Sequence, residues 1–206
     1  WDVYSDGSLG TAAVTTETLA PFTGRIDQIA TAQDIVGVVI KGLEFDGITA
    51  IGNKSKYNNG MSGETKGASI GGTRVSDTGM IVGLGAASIK TELKSDDANR
   101  STATTKAAQV EIGRELGKNS ISLKLKHAMI DYSMERSIGD FAAAGSTKGT
   151  DTSISLMLEG SGKIAPIIGF TKGRSAMDSY TETGDIQAVR TVAKTTEDYN
   201  YGTLGA

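Results

Sequence analysis

The sequence predicts an all-β chain, an up-and-down antiparallel β-barrel of about eight to ten long strands with one short helix near residues 23–34. Three observations carry this: an alternating hairpin, a glycine-rich and proline-poor composition, and a rhythm of short turns and longer loops. The hairpin lies within Ala108 to Tyr132. Val110, Ile112 and Leu116 alternate with polar residues up to Gly117-Lys118, and Ile121, Leu123 and Leu125 alternate after it. Residues directly opposite in an antiparallel pair share a face. A two-residue loop at Gly117-Lys118 therefore sets Ile112 against Leu123, Val110 against Leu125, and Glu111 against Lys124. A slip of one residue would move a whole apolar set to the wrong side.

Composition agrees. The chain has 206 residues, enough for one large β domain, with 27 Gly, 2 Pro and 5% aromatics. Glycine at this level suits a curved sheet, and regularly spaced apolar residues argue against disorder. A net charge of -3 with both signs interspersed argues against a nucleic-acid partner. Without cysteine there is no disulfide framework and no thiolate metal site. No apolar run approaches the ~18 residues of a transmembrane helix. The chain begins at Trp1 without Met, which reads as a processed product or a fragment.

In chain order, residues 1–21 read as an extended arm or irregular first strand. Residues 22–34 read as a short helix or linker, with Thr23 as N-cap and Ile26, Ile29 and Ala30 on one face. That helix either leans on the barrel surface or plugs its lumen. Residues 35–206 form the barrel domain. Strands are expected at Ile35–Leu43, Ile48–Tyr57, Thr65–Val75, Met80–Lys94 and through the hairpin to about Arg136. Polar loops are expected at Ser95–Thr102 and Ser137–Thr150. A hairpin follows around Gly160-Ser161-Gly162, pairing Glu159 with Lys163, Leu158 with Ile164 and Ile154 with Ile168. A loop at Met177–Gly184 precedes a last strand from Asp185 to about Thr195, with a second half through Tyr201. Short turns at one end and loops of roughly eight to fourteen residues at the other match the layout of outer-membrane barrels.

The run Gly79-Met80-Ile81-Val82-Gly83-Leu84-Gly85-Ala86-Ala87-Ser88-Ile89-Lys90 resembles the early barrel strand of autotransporter β-domains. The order that follows is similar too: the Leu116-Gly117 turn, a long strand carrying Tyr132, then Ser155-Leu156-Met157-Leu158-Glu159-Gly160, Ile164-Ala165-Pro166 and Tyr180-Thr181-Glu182-Thr183-Gly184. Arg25-Ile26 is similar to the linker entering the barrel. The resemblance covers roughly residues 25–206. It implies an outer-membrane barrel, usually of twelve strands, that helps export a passenger lying N-terminal to Trp1.

Little in the sequence points to catalysis, and an enzyme is not expected. His127 shares a face with Ile121, Leu123, Leu125 and Met129, and Asp131 follows on the same face ~13 Å along the strand. That is too far for a histidine–carboxylate contact, so His127 reads as a polar residue near a sheet rim. Asp96, Asp97 and Asn99 lack the glycine and distal glutamate of a calcium loop and read as a solvated loop. Neither a metal nor a cofactor is expected. Glu111, Glu115, Lys124 and Lys126 form a mixed-charge face, either lining a polar lumen or solvated. Val110, Ile112, Ile121, Leu123 and Leu125 meet lipid or a protein core. Ser88, Lys90, Gln187 and Arg190 must face the lumen or lie near its rim, because a charge at mid-bilayer costs ~2–4 kcal/mol. The expected function is a non-enzymatic outer-membrane translocator or anchor for a passenger, its partners being the outer membrane and that passenger. The alternative is a soluble or surface-assembled β structural protein, a virion component or a cell-surface filament or adhesin subunit, whose partners are the other subunits of its assembly.

Overall fold

A computed structural model of the chain describes Ile40, Phe45 and residues 47–56, 62–94, 99–138, 141–161, 165–185 and 189–205. The arm at 1–21 and the helix expected at 22–34 lie outside the described residues. Among the described residues the strands are β1 (Gly47–Lys56), β2 (Ser62–Val75), β3 (Met80–Lys94), β4 (Arg100–Leu116), β5 (Asn119–Ile138), β6 (Phe141–Gly160) and β7 (Ile167–Met177). Three two-residue pieces follow, β8 (Tyr180–Thr181), β9 (Thr183–Gly184) and β10 (Thr191–Val192), and then β11 (Thr195–Gly205). The long strands form one antiparallel sheet in the order β1-β2-β3-β4-β5-β6-β7-β11. Each is bonded to its sequence neighbour, as an up-and-down layout requires. The sheet is not closed: among the described residues the outer edges of β1 and β11 pair with no strand.

The central hairpin has the register expected from its alternation. Ile112 faces Leu123, Val110 faces Leu125 and Glu111 faces Lys124 across the Gly117-Lys118 turn. Gly117 sits at φ 68°, a left-handed conformation that side chains resist.

Four expectations are corrected. Ile40, expected in a strand, has helical backbone and is buried. The segment 137–150 is not a loop, because β5 runs to Ile138 and β6 starts at Phe141, each strand being 20 residues long. The longer connections are correspondingly shorter than expected, except for residues 178–194. The β6–β7 register differs by four residues, with Leu158 opposite Ile168 and Ile154 opposite Lys172. Pro166 has no N–H to give a ladder, so pairing starts only after it, and Gly160 N donates to Pro166 O at 2.8 Å. A shift of four preserves the faces. Finally, the last strand is Thr195–Gly205, which contains the second half expected through Tyr201 but does not start at Asp185.

Residues 178–185 explain that last difference. β6 pairs with β7 only from Gly149 to Glu159, leaving its first half open on that side. β9 pairs there with Ala143 and Ala144. Asp185 closes the contact, accepting from Ala142 N at 2.7 Å on its carboxylate and donating its own N–H to Ala142 O at 3.0 Å. An exposed strand edge is thereby covered.

Gly117→Ala is expected to cost about 1–2 kcal/mol and lower the urea-unfolding midpoint. Gly72→Ala, whose added methyl would meet nothing within 4 Å, is expected to leave the midpoint nearly unchanged. Equal midpoints for the two variants would contradict this account of the turn.

Candidate functional site: a two-faced wall

Alternation divides every long strand into an exposed and a covered set, and the chemistry of both sets changes partway along. On β5 near the turn, Ile121, Leu123 and Leu125 are exposed while Ser122 is buried and Lys124 and Lys126 are half-buried. Further along the same strand the pattern inverts. Ala128, Ile130, Tyr132 and Met134 are buried, and Asp131, Ser133 and Glu135 are exposed. β4 inverts likewise, from exposed Val110 and Ile112 around buried Glu111 to exposed Lys106 beside buried Ala107 and Ala103. The change falls along one cross-strand row, Ala86, Ala108, His127, Thr152, Arg174 and Asp198.

On the turn side of that row the exposed face is an apolar belt. It passes from Leu84 on β3 through Val110 and Ile112, Leu123 and Leu125, Leu156 and Ile154, to Phe170 and Ile168, and ends at Leu204 on β11. Ile112 is 59% exposed and Leu123 46%. Ile70 and Ile48 continue the belt on β2 and β1 one row further from the turns, so it crosses the strands obliquely. A contiguous apolar surface on this scale marks contact with another phase or partner.

The covered face on the turn side is polar. Lys124 Nζ lies 3.6 Å from Glu111 and 3.8 Å from Glu159. Asp151, 1% exposed and one residue beyond the row, accepts from Tyr199 OH at 2.9 Å. Ser155 and Thr171 hydroxyls pair at 2.8 Å. Glu115 lies exposed at the turn end of the same strand face.

Aromatic rings on this face rest on glycines. Phe45 occupies the space a side chain at Gly85 or Gly71 would need. Tyr180 does the same over Gly145, Tyr132 over Gly149 and Tyr199 over Gly173. Much of the glycine read from composition as relief of curvature thus also makes room for rings. Lys126 joins the N-terminal segment to the wall, donating to Ile40 O at 2.9 Å with its Nζ 5.8 Å from the Phe45 ring centre.

At the other end Tyr180 and Glu182, from the connection after β7, pack onto the covered face. Arg136 Nε and Nη2 donate to the same Glu182 carboxylate oxygen at 3.2 and 2.7 Å, with both side chains essentially inaccessible. Tyr180 OH donates to Met134 Sδ at 3.1 Å. Alternation alone could not reveal this pair, since Glu182 lies outside any long strand.

His127 is exposed on the boundary row, its Nδ1 2.7 Å from Thr152 Oγ1, and not at a sheet rim. Ser88 and Lys90 are exposed beyond the boundary, and Arg190 is half-buried in the 178–194 connection. Gln187, Asp96 and Asp97 lie outside the described residues. Asn99 is buried and accepts from Ser137 N at 3.2 Å. Among the described residues no three His, Cys, Asp or Glu side chains gather as metal ligands.

An antiparallel wall that is apolar outside and charged within has the pattern of a transmembrane β-barrel. Residues 47–206 match the family model for the autotransporter beta-domain, and the chain belongs to that family. The fold is similar to the translocator domain of autotransporter NalP from Neisseria meningitidis, with a TM-score of 0.69 and 14% identity, over 92% of this chain and 71% of that one. A weaker likeness, to the ferric yersiniabactin uptake receptor FyuA from Yersinia pestis, has a TM-score of 0.44 at 12% identity over 70% and 25% of the two chains, and carries no argument. No curated protein matches the sequence.

Arg136→Met is expected to destabilise the fold by about 3–5 kcal/mol, because it strands a buried carboxylate. Arg136→Met combined with Glu182→Leu should recover most of that loss in thermal melts followed by circular dichroism. A double variant no better than the single one would show that the pair is not coupled. Gly145→Val is expected to cost about 1–3 kcal/mol by overpacking. In a Tyr180→Ala background the same substitution should cost distinctly less, and additive costs would remove the ring as the cause.

Proposed function

We propose that this chain is a non-enzymatic outer-membrane translocator, the barrel through which a passenger N-terminal to Trp1 reaches the cell surface. One observation carries the membrane assignment: the inversion of face chemistry at the Ala86–Asp198 row. In water, apolar side chains turn inward. A wall apolar on its exposed side and charged on its covered side suits an exposed side that meets hydrocarbon. Val110, Ile112, Ile121, Leu123 and Leu125 then face lipid. Glu111, Lys124 and Lys126 face the lumen, with Glu115 at its mouth.

Strand length supports the same assignment. A tilted bilayer span takes about 9–11 residues, whereas β4 has 17 and β5 and β6 have 20. The turn-side part of each strand matches a span. The remainder, polar outside and apolar inside, stands in water beyond the bilayer. In hydrocarbon the outer edges of β1 and β11 require strand partners, since unpaired backbone groups there cost several kcal/mol each. The translocator role follows from family membership and from the N-terminal segment seated on the covered face. Ile40 and Phe45 lie there against Lys126, Gly71 and Gly85.

The folded chain in detergent is expected to migrate anomalously on a gel when unboiled and normally after boiling; the absence of any shift would count against a membrane barrel. Leu123→Arg and Leu156→Arg should each weaken folding into bilayers by about 2–4 kcal/mol. Thr150→Arg, exposed beyond the boundary row, should have little effect. Equal tolerance of all three substitutions would indicate that the belt does not meet lipid.

A further inference from the structure

Beyond the boundary row, the exposed side of β1 to β4 is strongly basic. Two carboxylates lie at its centre, Glu64 and Glu92, directly opposite each other. Lys54 and Lys66 reach Glu64 at 3.4 and 2.8 Å. Lys90, Arg100 and Lys94 reach Glu92 at 2.6, 2.9 and 3.9 Å. Exposed Lys56 and Lys106 extend the patch on either side. Among the described residues of β1 to β4, positive charge therefore exceeds what the two carboxylates offset. A cleft of about 400 Å³, lined in part by Lys54, Lys56 and Lys94, opens within it.

Five cations share two carboxylates, so ion pairing within the sheet offsets only part of this charge. Lys66 lies directly opposite Lys90, and Lys94 directly opposite Arg100. Like charges facing across a ladder are destabilising, and exchanging one lysine for glutamate would turn either pair favourable. The excess is also local. In the Lys66–Lys90 row on β5 and β6, Asp131 faces Lys148, and on the boundary row Arg174 holds Asp198 in a two-bonded ion pair at 2.6 and 3.0 Å.

We propose that this patch binds the phosphate-bearing headgroup of a lipid whose acyl chains lie on the apolar belt, in the leaflet at the end opposite the Gly117-Lys118 turn. The inference rests on the membrane assignment above. Two features favour a lipid over a free anion. The patch is continuous with the belt, Lys66 lying four residues from Ile70 on the same exposed face, about 13 Å along the strand. Its cations also face outward from the wall, where headgroups lie, rather than into an enclosed cavity. Basic side chains next to a membrane-embedded surface attract anionic headgroups, and salt screens that attraction.

The test uses the full chain folded in zwitterionic detergent micelles, with lipid retention read by native mass spectrometry. The probes are diphosphoryl lipid A and its fully dephosphorylated form. At least tenfold greater retention of the phosphorylated lipid is expected, declining with added salt and unaffected by equimolar inorganic phosphate. Lys66→Gln/Lys90→Gln/Lys94→Gln/Arg100→Gln should abolish the preference, while Lys148→Gln/Lys172→Gln should keep it. If the fourfold variant does not fold, Lys66→Gln and Lys94→Gln alone should each reduce retention at least twofold. Equal retention of the two lipids, an undiminished preference in the neutralised variants, or full competition by inorganic phosphate would each overturn the proposal. Gel mobility of the unboiled chain is read in the same samples. A heat-modifiable band without phosphate preference leaves the membrane assignment standing and removes the lipid site; no heat-modifiable band removes both.

Discussion

The antiparallel hydrogen-bond ladder is the constraint on which everything else in this molecule depends. Within a bilayer there is no water to satisfy backbone groups, so each strand must be bonded along its length. The ladder meets that demand from β1 to β11 without a crossover. By fixing register it also aligns side chains from distant segments into rows. The belt, the charged covered face and the boundary between them are properties of those rows and of no single strand.

The boundary row has a direct physical meaning. A strand keeps one geometry along its length, yet β5 passes from apolar-out to polar-out within a few residues around His127. The backbone does not change there; on the proposed membrane reading, the environment does. Hydrocarbon rewards apolar exposure and water penalises it. Beyond the row the covered face becomes an ordinary apolar core, built from Ala128, Ile130, Tyr132, Met134, Met177 and Tyr180. The buried Arg136–Glu182 pair fixes the 178–194 connection over that core. One end of the wall is thus apolar on its exposed face and the other on its covered face.

Glycine and the aromatic residues divide the covered face between them. A chain with few aromatic residues places Phe45, Tyr132, Tyr180 and Tyr199 each over a glycine on this face. Each ring gains area that a neighbouring Cβ would deny it. The seating of Phe45 on Gly71 and Gly85 joins it to the wall through side-chain packing.

The sequence by itself determined the strands whose two faces differ. Val110 to Leu125 declares its period and, with a two-residue loop at Gly117-Lys118, its register, which sets Ile112 directly opposite Leu123. Met80–Lys94 was legible to the residue for the same reason. Residues 141–150 were not, since Ala142, Ala144 and Ser146 outside and Ala143, Gly145 and Gly149 within give no contrast to read. Their order comes from the Tyr132 and Tyr180 rings and from Asp185, all supplied by other parts of the chain. Pro166 moved the next register, and covering the open edge of β6 delayed the last strand. Charge behaves likewise: a net charge of -3 gives no hint that cations spread over residues 54–106 gather on one patch of wall. Alternation is local and survives in the sequence. Which rings, charges and edges meet across the sheet depends on register summed over several strands, and only the tertiary structure decides it.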